Sequence, residues 1–320
     1  MSKIVLDDKF KQIFSKNRKC IVNADIDGII AGMLLQRFLN WRVVGYSSCC
    51  GKPDDELWLE DKKENLVDCV FVDLPVSVPE LSVIDQHFIS IDSESIDRYN
   101  SDNNKLNPNV MRNRMFVNAN GNCEYTNKYP FGTAHFVLAV LENLNIIDEQ
   151  VSLLIHKKID SFELADLFLR ADRVIGNTYQ YTPNCLDWAN WMIDLGGKNT
   201  EALFVVVKNE YKTRIDAEKK VEQCLINFGC KGIDGDCSNL FRVKDYTKLV
   251  EYFGFLSEAF EMRPLPVFKI FDFNKLNGKR VFISNSDISV AKAESKRRDM
   301  FSFAFVTMKA MSLTYIEEER

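Results

Sequence analysis

The sequence predicts an α/β protein, with a mostly parallel sheet flanked by helices and a smaller C-terminal α/β region. Three observations predict it. Short apolar runs alternate with helical or polar stretches up to about residue 92. Val, Ile and Phe dominate those runs with little alternation, as in strands buried on both faces. Three runs are followed by an aspartate, Asp25, Asp73 and Asp85. Asp is disfavoured inside strands and welcome at their ends and at helix N-termini.

The elements follow in order. Cys20–Val22 reads as a strand, Ile29–Leu39 as a strongly apolar helix, and Arg42–Tyr46 as a second strand. The acidic stretch 51–65 is too polar for core and suits an exposed helix. Leu66–Val72 and Leu81–Ile84 read as strands ending at Asp73 and Asp85, with Ile89–Ile91 as another short one. An Asn-rich loop spans 99–128, and Pro108 forces Asn107 out of helical geometry. Helices are expected at 132–144, 149–169, 184–195 and 201–228, then a Gly- and Asp-rich turn at 229–236 and a helix at 246–260. The tail shows strand-like runs at 267–273 and 281–284, while 301–314 fits either strand or helix. The expected organisation is a catalytic domain at 1–195, a helical connector at 196–262 and a basic α/β substrate-binding region at 263–320.

Composition narrows the class. The net charge of −5 argues against a general nucleic-acid coat, although charge is local. Residues 263–309 hold ten Lys or Arg against four Asp or Glu, including Lys296-Arg297-Arg298, so a phosphate-facing surface is weighed there against a solvated face. No apolar run approaches the roughly 18 residues of a membrane span, and the N-terminus lacks a signal-peptide shape. Nine Cys without C-x-x-C spacing read as reduced, mostly buried thiols. A cytoplasmic protein is the expectation.

The acids carry the chemistry. In a parallel sheet the carboxyl ends of the strands share one edge, where ligands bind. Asp25 and Asp27 sit on a strand-to-helix turn, either capping the helix or holding a cation; one cap needs one acid, and the second adds repulsion. Asp85 is followed by Gln86 and His87, in a chain with only three histidines. Carboxylates with imidazole suit Mn²⁺ or Mg²⁺ better than a thiolate-preferring metal. Two such ions would flank a water and lower its pKa for attack on phosphorus. Arg112 and Arg114 could clamp a phosphate through forked guanidinium donors. Trp188 and Trp191, three apart on one helical face, fit core packing better than base stacking.

These segments, in this order, resemble the DHH phosphoesterase superfamily, which includes RecJ-like exonucleases. The residues that carry the likeness are Asn23-Ala-Asp25-Ile-Asp27-Gly28, Val70-Phe71-Val72-Asp73, Val83-Ile84-Asp85-Gln86-His87, Asn107-Pro108-Asn109, Gly132-Thr133-Ala134 and Ala171-Asp172-Arg173, across roughly 17–195. The resemblance implies that Asp25 holds one ion, Asp27 the other, Asp73 bridges them and Asp172 completes the ligand set of the second ion, with Asp160 and Asp166 as nearby alternatives. It implies that His87 meets the scissile phosphate or its leaving group, supported by Asp85, and that Asn23 and Gln86 face the substrate. Gln86 departs from the pattern, standing where the family places a metal-binding histidine. For the glycine-rich signature of the family's C-terminal domain, Gly229-Cys-Lys-Gly232-Ile-Asp-Gly235 is a poor match that fits a plain turn better, and Lys279, Arg280, Arg297 and Arg298 are expected to do the same job. The implied activity is metal-dependent hydrolysis of single-stranded nucleic acid from an end. Short oligonucleotides or cyclic dinucleotides are the alternative substrates, and a degenerate binding or scaffold protein is the alternative class.

Overall fold

The first apolar run forms a strand, β1 (Lys19–Asn23), and the turn after it leads directly into α2 (Ile26–Leu39), as the strand-end acid requires. The structure is a computed structural model and describes residues 4–49, 51–147, 182–210, 222–232, 234–267, 271–283 and 288–316. The chain divides into two compact units, each assembled from separate stretches: Met1–Arg18, Ala24–Val43 and Pro130–Phe268 in one, Lys19–Asn23, Val44–Tyr129 and Lys269–Arg320 in the other.

The second unit holds the sheet. Besides β1 it contains β2 (Arg42–Ser48, of which Val44 onward belongs here), β3 (Glu56–Leu59), β4 (Cys69–Val72), β5 (Ser82–Ile84) and β6 (Lys105–Leu106). The C-terminal region adds β7 (Phe271–Phe282), β8 (Met300–Thr307) and β9 (Ala310–Ile316). Strand order among the described residues is β6-β5-β4-β1-β2-β3-β7-β9-β8. The β1/β4, β4/β5 and β5/β6 pairs are parallel, and the C-terminal strands pair antiparallel. The α/β class expected from the sequence is therefore what the structure shows. Cys20, Ile21, Val22, Val70, Phe71 and Val72 have no more than trace exposure, which explains why these strands show no alternation. The helices of this unit are α3 (Ser93–Ser101), the single turn α4 (Pro108–Met111) and α10 (Ser289–Glu294).

Strand β8 closes one edge of the sheet against two loops that leave strand ends. Phe303 N donates to Pro75 O at 3.2 Å, Ser77 N to Phe301 O at 2.8 Å, and Phe305 N to Phe88 O at 2.9 Å. Phe305 also stacks on Phe116 at 3.8 Å between centroids. Strand β8 thus braces the segments that follow Asp73 and His87.

The first unit is helical. With α2 it contains α1 (Asp8–Ile13), α5 (Thr133–Asn143), α6 (Thr182–Leu195), α7 (Lys198–Glu210), α8 (Ser238–Arg242) and α9 (Tyr246–Phe260). Helix α5 is buried from Thr133 to Glu142 and packs against α2, α6 and α7. Glu142 accepts from the backbone N–H of Gly197, Asn199 and Thr200 and so caps α7. Trp188 is fully buried and meets Trp191 edge-on at 5.3 Å, a packing pair.

Four local expectations change. The acidic stretch 51–65 holds β3 instead of a helix, because Leu57, Trp58 and Leu59 are buried between β2 and β7. Residues 66–68 form a 3-10 turn (Leu66–Asp68) before β4 begins. Residues 89–91 are not a strand, although Ser90 O and Ile91 O accept from Phe116 N and Val117 N. The ambiguous 301–314 stretch is the β8–β9 hairpin. The helix expected at 149–169 lies outside the described residues. Cys20, Cys69, Cys185, Cys230 and Cys237 are buried, reduced thiols, and burial pushes Cys230 up to about 12. No helix among the described residues is long and apolar enough to cross a membrane.

Candidate metal centre

The parallel strands deliver their carboxyl ends to one edge. From β1, the chain builds β2 and β3 on one side and β4, β5 and β6 on the other. The direction of growth therefore reverses between β1 and β4, the kind of switch point where open α/β sheets bind ligands. Asn23 ends β1, and its Nδ2 donates to Asp73 Oδ2 at 3.0 Å, spanning that switch. Asp73 follows β4 with φ 59°, a left-handed conformation that Asp tolerates better than most residues. Its N–H donates to Ile84 O at 2.8 Å, tying it to β5.

Asp85 follows β5 and is fully buried. Its Oδ1 lies 2.7 Å from His87 Nδ1, and its Oδ2 accepts from His87 N at 3.0 Å. A carboxylate only accepts, so a neutral imidazole here carries its proton on Nδ1. His87 Nδ1 also stands 4.0 Å from Asp73 Oδ1, and the side chain keeps 30 % of its surface exposed. Ligand atoms of Asp73, Asp85 and His87 all lie within 4.8 Å of one another. Among the described residues, this is the group of Asp, Glu, Cys and His that could hold a metal ion.

The donor chemistry fits a cation. Asp85 is paired with no Lys or Arg among the described residues; its partners are His87 and Asn107 Nδ2 at 3.4 Å. Buried carboxylates without a charged partner are costly, and a metal ion supplies one. The loop that carries the centre is pinned by the Asn-Pro element. Asn107 Nδ2 donates to His87 O at 2.9 Å and Asn109 Nδ2 to Gln86 O at 2.8 Å, while Asn107 caps α4 with Pro108 at its first position.

No protein-family model, curated protein or solved structure matches the chain.

Asp25 and Asp27 lie in the helical unit, where each has a defined structural partner. Asp25 caps α2, its Oδ1 accepting from Gly28 N at 3.0 Å. Asp27 reaches the N-terminus of α5: Oδ2 accepts from Thr133 N at 2.6 Å and Oδ1 from Ala134 N at 2.8 Å. A Cβ on Gly132 would overlap this carboxylate, so the glycine makes room for it. Two acids on one turn thus serve two helix N-termini, where negative charge is favourable. Asp172, with Asp160 and Asp166, lies outside the described residues.

The basic residues are dispersed. Arg112 and Arg114 are half-buried just beyond α4. Lys279 meets Glu294 at 3.1 Å, and Arg297 forks onto Asp299 at 2.6 and 2.9 Å while lying 4.4 Å from the Tyr315 ring. That network satisfies the two cations at the surface. Arg280 is exposed on β7, and Arg298 lines a cleft discussed below. Asn107 and Asn109 are the residues to which sequence reasoning gives no role of their own; the Asn-Pro-Asn triplet reads as a turn and as one segment of the resemblance.

Proposed function

We propose that the chain is a divalent-metal-dependent phosphodiesterase acting on nucleic-acid phosphodiester bonds, with single strands cleaved from an end as the substrate. The observation that carries this reading is the Asp73, Asp85 and His87 cluster beside the β1/β4 switch point. Hard oxygen donors with one imidazole favour Mn²⁺ or Mg²⁺. Asp73 and His87 would hold the ion, with Asp85 fixing the imidazole tautomer, the arrangement in which a carboxylate supports a ligating histidine. Such an ion, when bound, supplies Lewis acidity and an acidified water. Asn23 orients Asp73, and Asn107 and Asn109 hold the loop carrying His87. Hydrolysis joins the water oxygen to phosphorus, breaks one P–O ester bond and leaves a proton on the departing oxygen.

A second reading has its own support. Asp25 and Asp27, which a two-ion site of the DHH type requires, are both engaged by backbone N–H groups, and Gln86 replaces a ligating histidine. Those features suit a binding or scaffold protein whose second ion site has been lost.

The test is incubation of the full chain with Mn²⁺ and end-labelled single strands, duplexes and dinucleotides, beside calorimetric Mn²⁺ titration. Release of mononucleotides by the parent and its loss in Asp73→Ala are expected. A parent that hydrolyses none of these sinks the enzyme reading. Activity mainly on dinucleotides moves the substrate to short oligonucleotides. Binding of two Mn²⁺ per chain would favour the two-ion form.

A further inference from the structure

A cleft of about 450 Å³ opens within the sheet unit, between residues 75–80, helix α3 and residues 295–303. That volume is typical of small-molecule sites. Its buried polar groups are unsatisfied in one direction. Ser90, 2 % exposed, lines the cleft, and its Oγ has no hydrogen-bond partner. Tyr99 lines it with a buried hydroxyl that also has none. Burial, with the Asp85 and Asp102 carboxylates, pushes this phenol well above its ordinary range, so it remains a donor. Lys105 is the third group. Its buried ammonium bonds Asp102 Oδ2 at 3.1 Å and Ser77 O at 3.2 Å, and three N–H donors leave one over.

Charge leans the same way. Arg98, Lys105, Lys296, Arg297 and Arg298 face the cleft against Glu80 and Asp102. Lys296 and Arg297 are paired with surface acids, whereas Arg98 and Arg298 have no carboxylate partner among the described residues. Orphaned buried polar groups are rare in native proteins, and each asks for a partner. A phosphomonoester offers about two negative charges and three acceptor oxygens.

We propose that this cleft binds a small phosphomonoester, its phosphate accepting from Ser90, Tyr99 and Lys105 and its charge met by Arg98 and Arg298. None of Asp73, Asp85 and His87 lines the cleft, so the proposal does not rest on the metal reading. Val76, Val78, Met300 and Phe303 supply apolar wall for the ester's organic part.

The full chain is titrated calorimetrically in EDTA with adenosine 5′-monophosphate, inorganic phosphate and adenosine. The monophosphate binds more tightly than phosphate, and adenosine does not bind. Ser90→Ala and Tyr99→Phe each weaken the monophosphate by roughly tenfold, the effect of one hydrogen bond to a charged group. Lys105→Met weakens it further. Without ligand, Ser90→Ala and Tyr99→Phe melt at or above the parent temperature, because each removes an unsatisfied buried hydroxyl. Asp73→Ala retains binding, which separates failure here from failure of the metal centre. The proposal is overturned by no monophosphate binding at millimolar concentration, by equal binding of adenosine, or by parental affinity in both hydroxyl variants. A clear drop in ligand-free melting temperature for Tyr99→Phe, or loss of binding in Asp73→Ala, overturns it equally.

Discussion

Replacing Asp27 by Asn decides whether its carboxylate is a structural cap or an acid held in place for a metal. The side chain is 2 % exposed, and both oxygens accept backbone N–H groups at the start of α5, at 2.6 and 2.8 Å. Asparagine keeps one acceptor oxygen and turns an NH₂ donor toward the other N–H. One charge-assisted bond is lost, which is about 1.5–3 kcal/mol, and the remaining bond becomes a neutral one. The favourable charge–dipole contact goes too, about 0.3–1 kcal/mol and up to ~2 when partly buried. These contributions overlap, so a net loss of about 2–4 kcal/mol is expected. The opposite sign holds for an acid kept against repulsion: its neutralisation stabilises the metal-free protein. Guanidinium unfolding of parent and Asp27→Asn in EDTA measures the difference. A variant that unfolds at the same or higher denaturant concentration refutes the capping argument.

Other outcomes follow from the same geometry. Asp85→Asn removes the group that fixes the His87 tautomer, so Mn²⁺ affinity should fall by about 10–100-fold in a calorimetric titration while the fold persists. Glu142→Ala strips the acceptor from the Gly197, Asn199 and Thr200 N–H groups and should cost at least about 3 kcal/mol, read as a shifted unfolding midpoint. For Asp92, burial alone would raise the carboxyl, but Lys292 at 2.5 Å and the Ser95 N–H hold it below its ordinary range. A depressed folded pKa stabilises above the unfolded value, about 3.9, and that stability is lost as pH falls through the folded one. Lys292→Met should therefore flatten the fall in melting temperature below about pH 4.

Much of the fold was legible because the signals were local. Helix α9 is bounded by Asp245, which caps it through Lys248 N, and by an apolar stripe of Leu249, Tyr252, Phe253 and Leu256. Strand β3 was not legible, since its three apolar residues sit among acids and are buried only by partners, one of which, β7, comes from the far end of the chain. The β8–β9 hairpin was hidden by a turn at Met308-Lys309 that lacks Gly, Asn or Asp, so no punctuation separated the strands. The same distinction runs through the centre. Asp73, Asp85 and His87 were readable as strand ends, each from its own neighbourhood. The partner of Asp27 was not readable, because the helix it caps begins more than a hundred residues later.

That partner changes what the surplus of acids means. A turn with two carboxylates looked overcharged for one helix, but Asp25 serves α2 and Asp27 serves α5, so the helical unit supplies a backbone reason for both. Asp85 caps no helix among the described residues. It sits fully buried beyond β5, at no helix N-terminus, with an imidazole, one backbone N–H and a long amide contact as its partners. Burial without a cation disfavours a carboxylate, and a structural role would be filled at lower cost by an amide. The strand-order switch places that carboxylate beside Asp73, while Asn23, Asn107 and β8 fix the surrounding loops. Held between these loops, a buried acid with no Lys or Arg partner among the described residues stands where Asp73, Asp85 and His87 could together hold a metal ion.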